Sequence, residues 1–195
     1  SHLTVLSLPL LFLFTSCIDE NLNIDPNRPS SVQTTSLIVT AQKQLVDNVK
    51  SEPASLRSSA LFTQQISQVT YTSQSRYDIP FSYSETIWNG LYKAVNNLQE
   101  IIILNSNPET TDLVTADGAG RNSTQIAISK ILKSYAFYVL TDIFGNVPYH
   151  SYGNNDPEFE ALQQETNNLT PAYASQEKIY ADILNELKQA GDTLI

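Results

Sequence analysis

Residues 87–102 decide the fold; they read IWNGLYKAVNNLQEII, with an apolar residue at every third or fourth position. This spacing places the apolar side chains on one face of an α-helix. Ser82 and Glu85, just before this stretch, have the spacing of a capping box, and the NSNP sequence at 105–108 ends the pattern. We therefore predict one long amphipathic helix here. Its apolar stripe consists of Ile87, Trp88, Leu91, Tyr92, Val95, Leu98 and Ile102.

The same periodicity predicts helices on both sides of this one. One covers about 32–49, and another starts at Pro53 and carries the pattern to Val69. After a polar loop at 107–122, a further helix covers about 124–144 and ends at Gly145, a typical C-cap residue. The inward side chains that we predict for it are Ala127, Ile131, Tyr135, Tyr138 and Val139.

A last helix begins after Ser175, and its apolar pattern still continues where the sequence stops at Ile195. No segment alternates as a strand does, so the predicted class is all-α. Paired helices of this length resemble degenerate tetratricopeptide-like packing, with long irregular loops such as 146–171 between them. We expect the fold to be incomplete at the C-terminus and the chain to be the N-terminal part of a longer protein.

Composition narrows the possible partners. The chain has 11 basic and 20 acidic residues, a net charge of −9, and 41% hydrophobic residues with only six glycines. Such a chain folds rather than staying disordered. Its acidity disfavours nucleic acid and anionic lipid as partners, because both require a basic surface.

The first residues predict export and lipidation. Residues 3–14 read LTVLSLPLLFLF, twelve uncharged residues, which is too short to span a bilayer and fits the core of a signal peptide. Ser16 and the only cysteine, Cys17, follow as in the lipobox of bacterial lipoproteins. We therefore predict a signal peptide over 1–16, truncated at its start, a lipid on Cys17, and an extended tether over 17–31. The alternative is a buried N-terminal segment with an inert cysteine.

Three segments together carry a family resemblance. WNGLY at 88–92, followed by Asn96 and Asn97, is similar to a helix of the SusD/RagB nutrient-binding outer-membrane lipoproteins. YAFYVLTDIFGNVPY at 135–149 resembles the family's "fGdvPy" signature, with Asn146 where Asp is common. LTPAYASQEKIY at 169–180 resembles the helix that comes next. Order and spacing match over nearly the whole chain, and the resemblance implies that 32–195 is the N-terminal part of a SusD-like helical domain.

The resemblance implies an outer-membrane lipoprotein, lipid-anchored and facing the exterior, that binds oligosaccharide or, in some branches, peptide. It also implies a partner, a SusC-type TonB-dependent barrel that receives the nutrient. Family members have no catalytic residues, so neither an enzyme nor a cofactor is expected.

The best ligand candidate in the sequence is the 71–83 loop, YTSQSRYDIPFSY, between two predicted helices. Aromatic rings can stack on the apolar faces of sugars, while charged and amide groups bind the hydroxyls. The candidate binding residues are Arg76, Tyr77, Asp78, Phe81 and Tyr83. A loop that packs only on its own scaffold explains the pattern equally well.

Other conspicuous residues are better explained by structure. Trp88 lies on a helix stripe, and the FGNVPY sequence at 144–149 combines a turn glycine, a proline and packed aromatic rings. His150 has no second histidine or cysteine nearby, so a zinc site is not expected. Asp156, Glu158 and Glu160 alternate but lack the glycine spacing of an EF-hand, which favours a solvated loop over a calcium site.

Two other function classes remain open. A lipid-anchored hydrolase would need paired carboxylates or an activated nucleophile. No Gly-x-Ser-x-Gly motif is present, but a catalytic part could lie beyond Ile195. A tetratricopeptide-like scaffold that binds proteins would need a concave helical groove instead of an aromatic loop.

Overall fold

The computed structural model describes residues 33–50, 56–115, 118–162 and 170–195, with only the backbone for 56–58. Six α-helices lie in these ranges: α1 Thr34–Val49, α2 Leu56–Phe62, α3 Phe81–Ser106, α4 Thr111–Val114, α5 Asn122–Phe144 and α6 Gln176–Leu194. Two strands, β1 Val147–Pro148 and β2 Tyr173–Ala174, form an antiparallel pair with Val147 opposite Ala174. The prediction of an all-α protein is confirmed.

The long helices pack in a row: α1 lies against α3, α3 against α5, and α5 against α6. Aliphatic and aromatic side chains form most of their shared core, together with several buried polar residues. Leu91, Val95, Phe137, Leu140 and Ile179 are fully excluded from solvent. Because each buried side chain of this size contributes about 1.5–3 kcal/mol, the row is stabilised by packing.

Gly90 sets how closely α1 and α3 approach each other. A Cβ atom built on Gly90 would lie 1.8 Å from Oδ1 of Asn48 on α1. No residue with a side chain fits there unless Asn48 moves. The glycine in the WNGLY segment is therefore explained by helix packing.

Two predicted helix boundaries were wrong. Helix α3 begins at Phe81, with Pro80 as its N-cap and no side-chain cap, so Ser82 lies inside the first turn and the capping box is not formed. Helix α2 ends at Phe62 rather than near Val69, which is 96% exposed. It ends because Gln64 adopts a positive φ of 59° and the NH of Gln65 donates to the carbonyl of Ala60, as in a Schellman motif.

The predicted inward face of α5 was also partly wrong. Ala127 is buried, but Tyr135 and Tyr138 are 44% and 43% exposed. The buried face instead includes Lys133 and Ser134. Because these residues are polar, the hydrophobic periodicity of the sequence did not identify this face as the buried one. Gly145 ends the helix with a φ of +74°, as predicted for a glycine there, and Ser175 caps α6 by accepting from the NH of Lys178.

Candidate functional site

The segment that we call the 71–83 loop contains one turn of 3-10 helix, Gln74–Arg76, and continues into the first turn of α3. Phe81 and Tyr83 therefore lie on α3, and the prediction that the loop extends to residue 83 was wrong. Amide side chains hold its shape. The Gln68 Nε2 donates to Oε1 of Gln74 at 2.8 Å, and Gln74 Nε2 donates to the hydroxyl of Tyr83. The backbone NH of Gln68 donates to Oγ of Ser75 at 3.0 Å. The loop is therefore fixed by hydrogen bonds rather than by burial.

Four of the five predicted binding residues are exposed: Arg76, Tyr77, Asp78 and Phe81. Tyr77 is 53% exposed and Phe81 is 82% exposed. Within the described residues, the Arg76 and Asp78 side chains have no hydrogen bond or ion pair. Tyr83 differs, since it is half-buried and bonded to Gln74. Together with Tyr71, which is 88% exposed, the loop thus presents three rings and two opposite charges to solvent.

Tyr77 has an unfavourable backbone conformation. Its φ and ψ are 60° and 23°, the left-handed region, and the NH of Asp78 donates to the carbonyl of Ser73 across it. This is the position of a Schellman motif where glycine or asparagine is usual. A left-handed conformation costs a bulky residue about 1–2 kcal/mol. Folding alone would therefore favour a different residue at this position.

The aromatic signature segments meet inside the protein. The hydroxyl of Tyr92 on α3 donates to the carbonyl of Pro148 at 2.6 Å, and burial raises the pKa of this tyrosine. The half-buried Trp88 packs on Phe144, with ring centroids 5.1 Å apart, and stacks on Tyr173 of β2 at 6.4 Å. Trp88 and the 144–149 segment therefore serve the architecture, as predicted.

A buried polar cluster between α3, α5 and α6 was missed by the sequence analysis. Lys133 is fully buried, its Nζ lies 3.6 Å from Oε1 of Glu186, and it donates to Oε1 of Gln99 at 3.4 Å. Burial lowers the pKa of Lys133, an effect that the nearby Glu186 opposes. The hydroxyl of Tyr149 donates to Oδ2 of Asp182 at 2.8 Å, and burial raises the pKa of Tyr149.

A polar cavity of about 220 Å³ adjoins this cluster, between the 151–155 turn and α6. Asp182 and Glu186, one helical turn apart, line it together with Tyr152 and Asn154. The only signal in the sequence was two acidic residues at positions where α6 has its apolar stripe. A search for hydrophobic periodicity ignores acidic residues, so Asp182 and Glu186 were not predicted to be buried.

Two of the three acidic residues that we weighed as a calcium site, Asp156 and Glu158, are paired with Lys178. Nζ of Lys178 lies 3.2 Å from Oδ2 of Asp156 and 2.8 Å from Oε1 of Glu158. These contacts lower the pKa of Glu158 and raise that of Lys178. Within the described residues, no group of three or more His, Cys, Asp or Glu side chains could hold a metal ion.

The comparison with protein families explains why these motifs occur together. The family of SusD-like proteins described as "Starch-binding associating with outer membrane" matches residues 26–194. The chain belongs to this family. No curated protein and no solved structure shows a significant match.

SusD-like proteins bind starch or other nutrients at the outer membrane in association with transport, and they are binding proteins rather than typical enzymes. The family match covers the aromatic loop, the buried cluster and all six helices. In the described part of this SusD-like chain, no helix is long and apolar enough to cross a membrane. The predicted signal peptide, the lipid on Cys17 and the tether lie outside the described residues.

Proposed function

We propose that this SusD-like chain is the binding part of a surface-exposed, lipid-anchored outer-membrane protein that captures an oligosaccharide and delivers it to a SusC-type TonB-dependent transporter. The residues proposed to contact the sugar are those of the 71–83 loop: Arg76, Tyr77, Asp78, Phe81 and Tyr83. Family membership supports the ligand class and the general kind of partner.

The observation that carries the proposal is the exposed ring of Tyr77 on a left-handed backbone. An exposed aromatic residue held in a conformation that costs folding energy is typical of a functional site. Beside Tyr77, Arg76 offers donors and Asp78 offers acceptors to hydroxyl groups. An oligosaccharide needs both kinds of group together with an aromatic surface.

Tyr77→Asn separates a binding role from a structural one. Asparagine tolerates the left-handed conformation, so this variant should keep or slightly raise the melting temperature. Its affinity for maltoheptaose, a starch-type oligosaccharide, should fall several-fold, and that of Arg76→Ala/Tyr77→Ala by about tenfold or more. Isothermal titration measures both affinities.

Tyr135→Asn is the matched control, because Tyr135 is similarly exposed but lies on α5. It should bind maltoheptaose as wild type does. If Tyr77→Asn and the double variant also bind with wild-type affinity, the 71–83 loop is only scaffold.

The anchor is tested separately. Cys17→Ala should abolish labelling by a clickable fatty acid in cells, because acyl chains supply membrane affinity at about 0.8 kcal/mol per buried methylene. Equal labelling of Cys17→Ala and wild type would rule out the lipid on this residue.

The transporter is tested by affinity purification from detergent-solubilised outer membranes. A TonB-dependent barrel should copurify in about equal amount with the tagged, lipidated protein. Its absence under conditions that preserve other outer-membrane complexes would contradict the proposed delivery step.

A further inference from the structure

Gln68 precedes the 71–83 loop in the chain but is hydrogen-bonded to its 3-10 turn through both its backbone and its side chain. Its NH donates to Oγ of Ser75 at 3.0 Å. Its Oε1 accepts from the NH of Ser75 at 3.2 Å and from the hydroxyl of Ser75 at 3.4 Å. Its Nε2 donates to Oε1 of Gln74 at 2.8 Å. One half-buried residue therefore binds two of the three residues of the turn.

The backbone sets the direction of these hydrogen bonds. A backbone NH can only donate, so the amide oxygen of Gln68 must face Ser75 and its nitrogen must face Gln74. Gln74 then presents its oxygen to Gln68 and its nitrogen to the hydroxyl of Tyr83. This chain of amides has one orientation, and it connects the 3-10 turn to the first turn of α3.

The turn that Gln68 holds also fixes the backbone of Tyr77. The NH of Tyr77 donates to the carbonyl of Gln74 at 3.0 Å. The NH of Asp78 donates to the carbonyl of Ser73 at 2.9 Å, which closes the left-handed conformation of Tyr77. A single 3-10 turn is weakly stable by itself. The conformation of Tyr77 therefore depends on contacts that hold the turn from outside.

Gln68 is poorly suited to bind a ligand itself. Both lone pairs of its Oε1 accept from Ser75, and its Nε2 already donates to Gln74. The exposed groups lie instead at the end of the turn, on Arg76 and Tyr77. The side chain of Gln68 therefore acts on the turn.

We propose that Gln68 is a positioning residue of the binding loop, which keeps Tyr77 in the left-handed conformation that receives the sugar. This inference rests on the proposed function, because positioning Tyr77 affects binding only if this loop contacts the ligand. A loop already held in its bound shape binds more tightly, since it loses less conformational freedom on binding. Gln68 thus changes affinity through Tyr77 and its neighbours rather than by a contact of its own.

The test replaces Gln68 by leucine, which has a similar volume and no amide. In Gln68→Leu the NH of Asp78 should exchange with solvent about threefold or more faster, because its bond to Ser73 exists only while the turn is closed. Affinity for whichever of maltoheptaose, cellohexaose and xylohexaose binds should fall about threefold or more, the effect of one lost hydrogen bond. The melting temperature should stay near that of wild type, since Gln68 is half-buried and outside the core.

Two further variants separate positioning from a general disturbance of the loop. Gln68→Glu keeps the acceptor for Ser75, and Gln74 can turn its amide to donate to the carboxylate, so it should restore most of the affinity and of the protection from exchange. Gln65→Leu is the matched control, because Gln65 is exposed in the same segment and outside this set of hydrogen bonds. It should bind as wild type does.

A double-mutant cycle shows whether Gln68 acts through Tyr77. In the Tyr77→Asn background, Gln68→Leu should lower the affinity clearly less than it does in wild type. Isothermal titration measures the four affinities, and ¹H–¹⁵N spectra follow the exchange of the backbone NH groups.

The outcomes distinguish the positioning role from the proposed function. Wild-type affinity in Gln68→Leu would overturn the positioning role and keep the proposed function, as would equal losses of affinity in the two backgrounds. If wild type binds none of the three oligosaccharides in a saturable way, the proposed function is overturned and the positioning role with it.

Discussion

Individual residues show where packing, rather than function, fixes the sequence. Gly90 leaves room for Asn48, whose Nδ2 donates to the carbonyl of Gln44 at 2.7 Å. Alanine has a better helix propensity than glycine by about 1 kcal/mol. Replacing glycine by alanine would therefore stabilise a helix whose surface is free at that position. At position 90 the added methyl group collides with Asn48 instead.

We predict that Gly90→Ala lowers the free energy of unfolding by about 1–3 kcal/mol, the usual range for an overpacked site. In the Asn48→Ala background the same change should cost clearly less, because the obstructing amide is gone. Urea denaturation of the four proteins in this cycle measures the coupling. Equal costs in both backgrounds would show that Asn48 does not limit the approach of α1 and α3.

His150 gives the protein a pH dependence. Burial, with a smaller effect from Lys133, lowers the pKa of His150 from 6.5 to about 4. The unfolded chain therefore binds a proton between these values that the folded chain does not. The contribution of neutral His150 to the free energy of unfolding is therefore fully present above about pH 6.5, and it is lost as the pH falls toward 4.

Because His150 is partly exposed, the expected loss is about 1–2 kcal/mol rather than the full linkage value. His150→Gln should flatten the stability profile between pH 6.5 and pH 4. Chemical denaturation across that interval provides the measurement. A profile as steep in His150→Gln as in wild type would assign the dependence to other groups.

Among the helices, α6 depends on a side-chain cap. Oγ of Ser175 accepts from the NH of Lys178, and the NH of Ser175 itself donates to Glu158. Ser175→Ala should lower the free energy of unfolding by about 1 kcal/mol, while Ser175→Thr keeps the acceptor and most of the stability. Thermal melts of both variants test this. Equal melting temperatures would mean that the cap contributes nothing.

The sequence predicted those elements whose ends carry a local signal. Ser175 and Gly145 marked real helix ends, because a cap oxygen and a positive φ are local requirements. The end of α2 had no such mark, since Gln64 adopts a positive φ without being glycine. Tertiary contacts decide where such a helix ends. A prediction from hydrophobic periodicity alone therefore made α2 too long.

The sequence alone pointed to the candidate loop, whose role in binding stays a prediction, but it did not point to the cavity. Aromatic and charged residues close together in the chain identified the 71–83 loop. The cavity joins the 151–155 turn to Asp182 and Glu186, which are separated from it by about thirty residues. Side chains brought together by folding, such as Lys133 and Glu186, leave no pattern in one sequence.

At the scale of the whole molecule, the described residues form an apolar groove between α5 and α6. Its volume is about 590 Å³, and Tyr135, Tyr138, Leu184 and Leu187 line it. Leu184 is 68% exposed. Exposed apolar surface of this kind binds hydrophobic dyes and promotes association.

We predict that the folded chain enhances the fluorescence of anilinonaphthalene sulfonate and that Leu184→Gln/Leu187→Gln removes most of the enhancement. Its stability should change little, because both leucines are exposed. Lys188→Gln on the same helix is the control and should bind dye as wild type does. Undiminished dye binding by the double leucine variant would place the apolar surface elsewhere.

The capture of carbohydrate at the 71–83 loop is tested most directly by isothermal titration of one preparation with a panel of maltoheptaose, cellohexaose and xylohexaose and with a mixture of short peptides. Our account predicts saturable binding of at least one oligosaccharide, weakened in Tyr77→Asn, and no saturable binding of peptides. Saturable binding of the peptides with none of any oligosaccharide would contradict it.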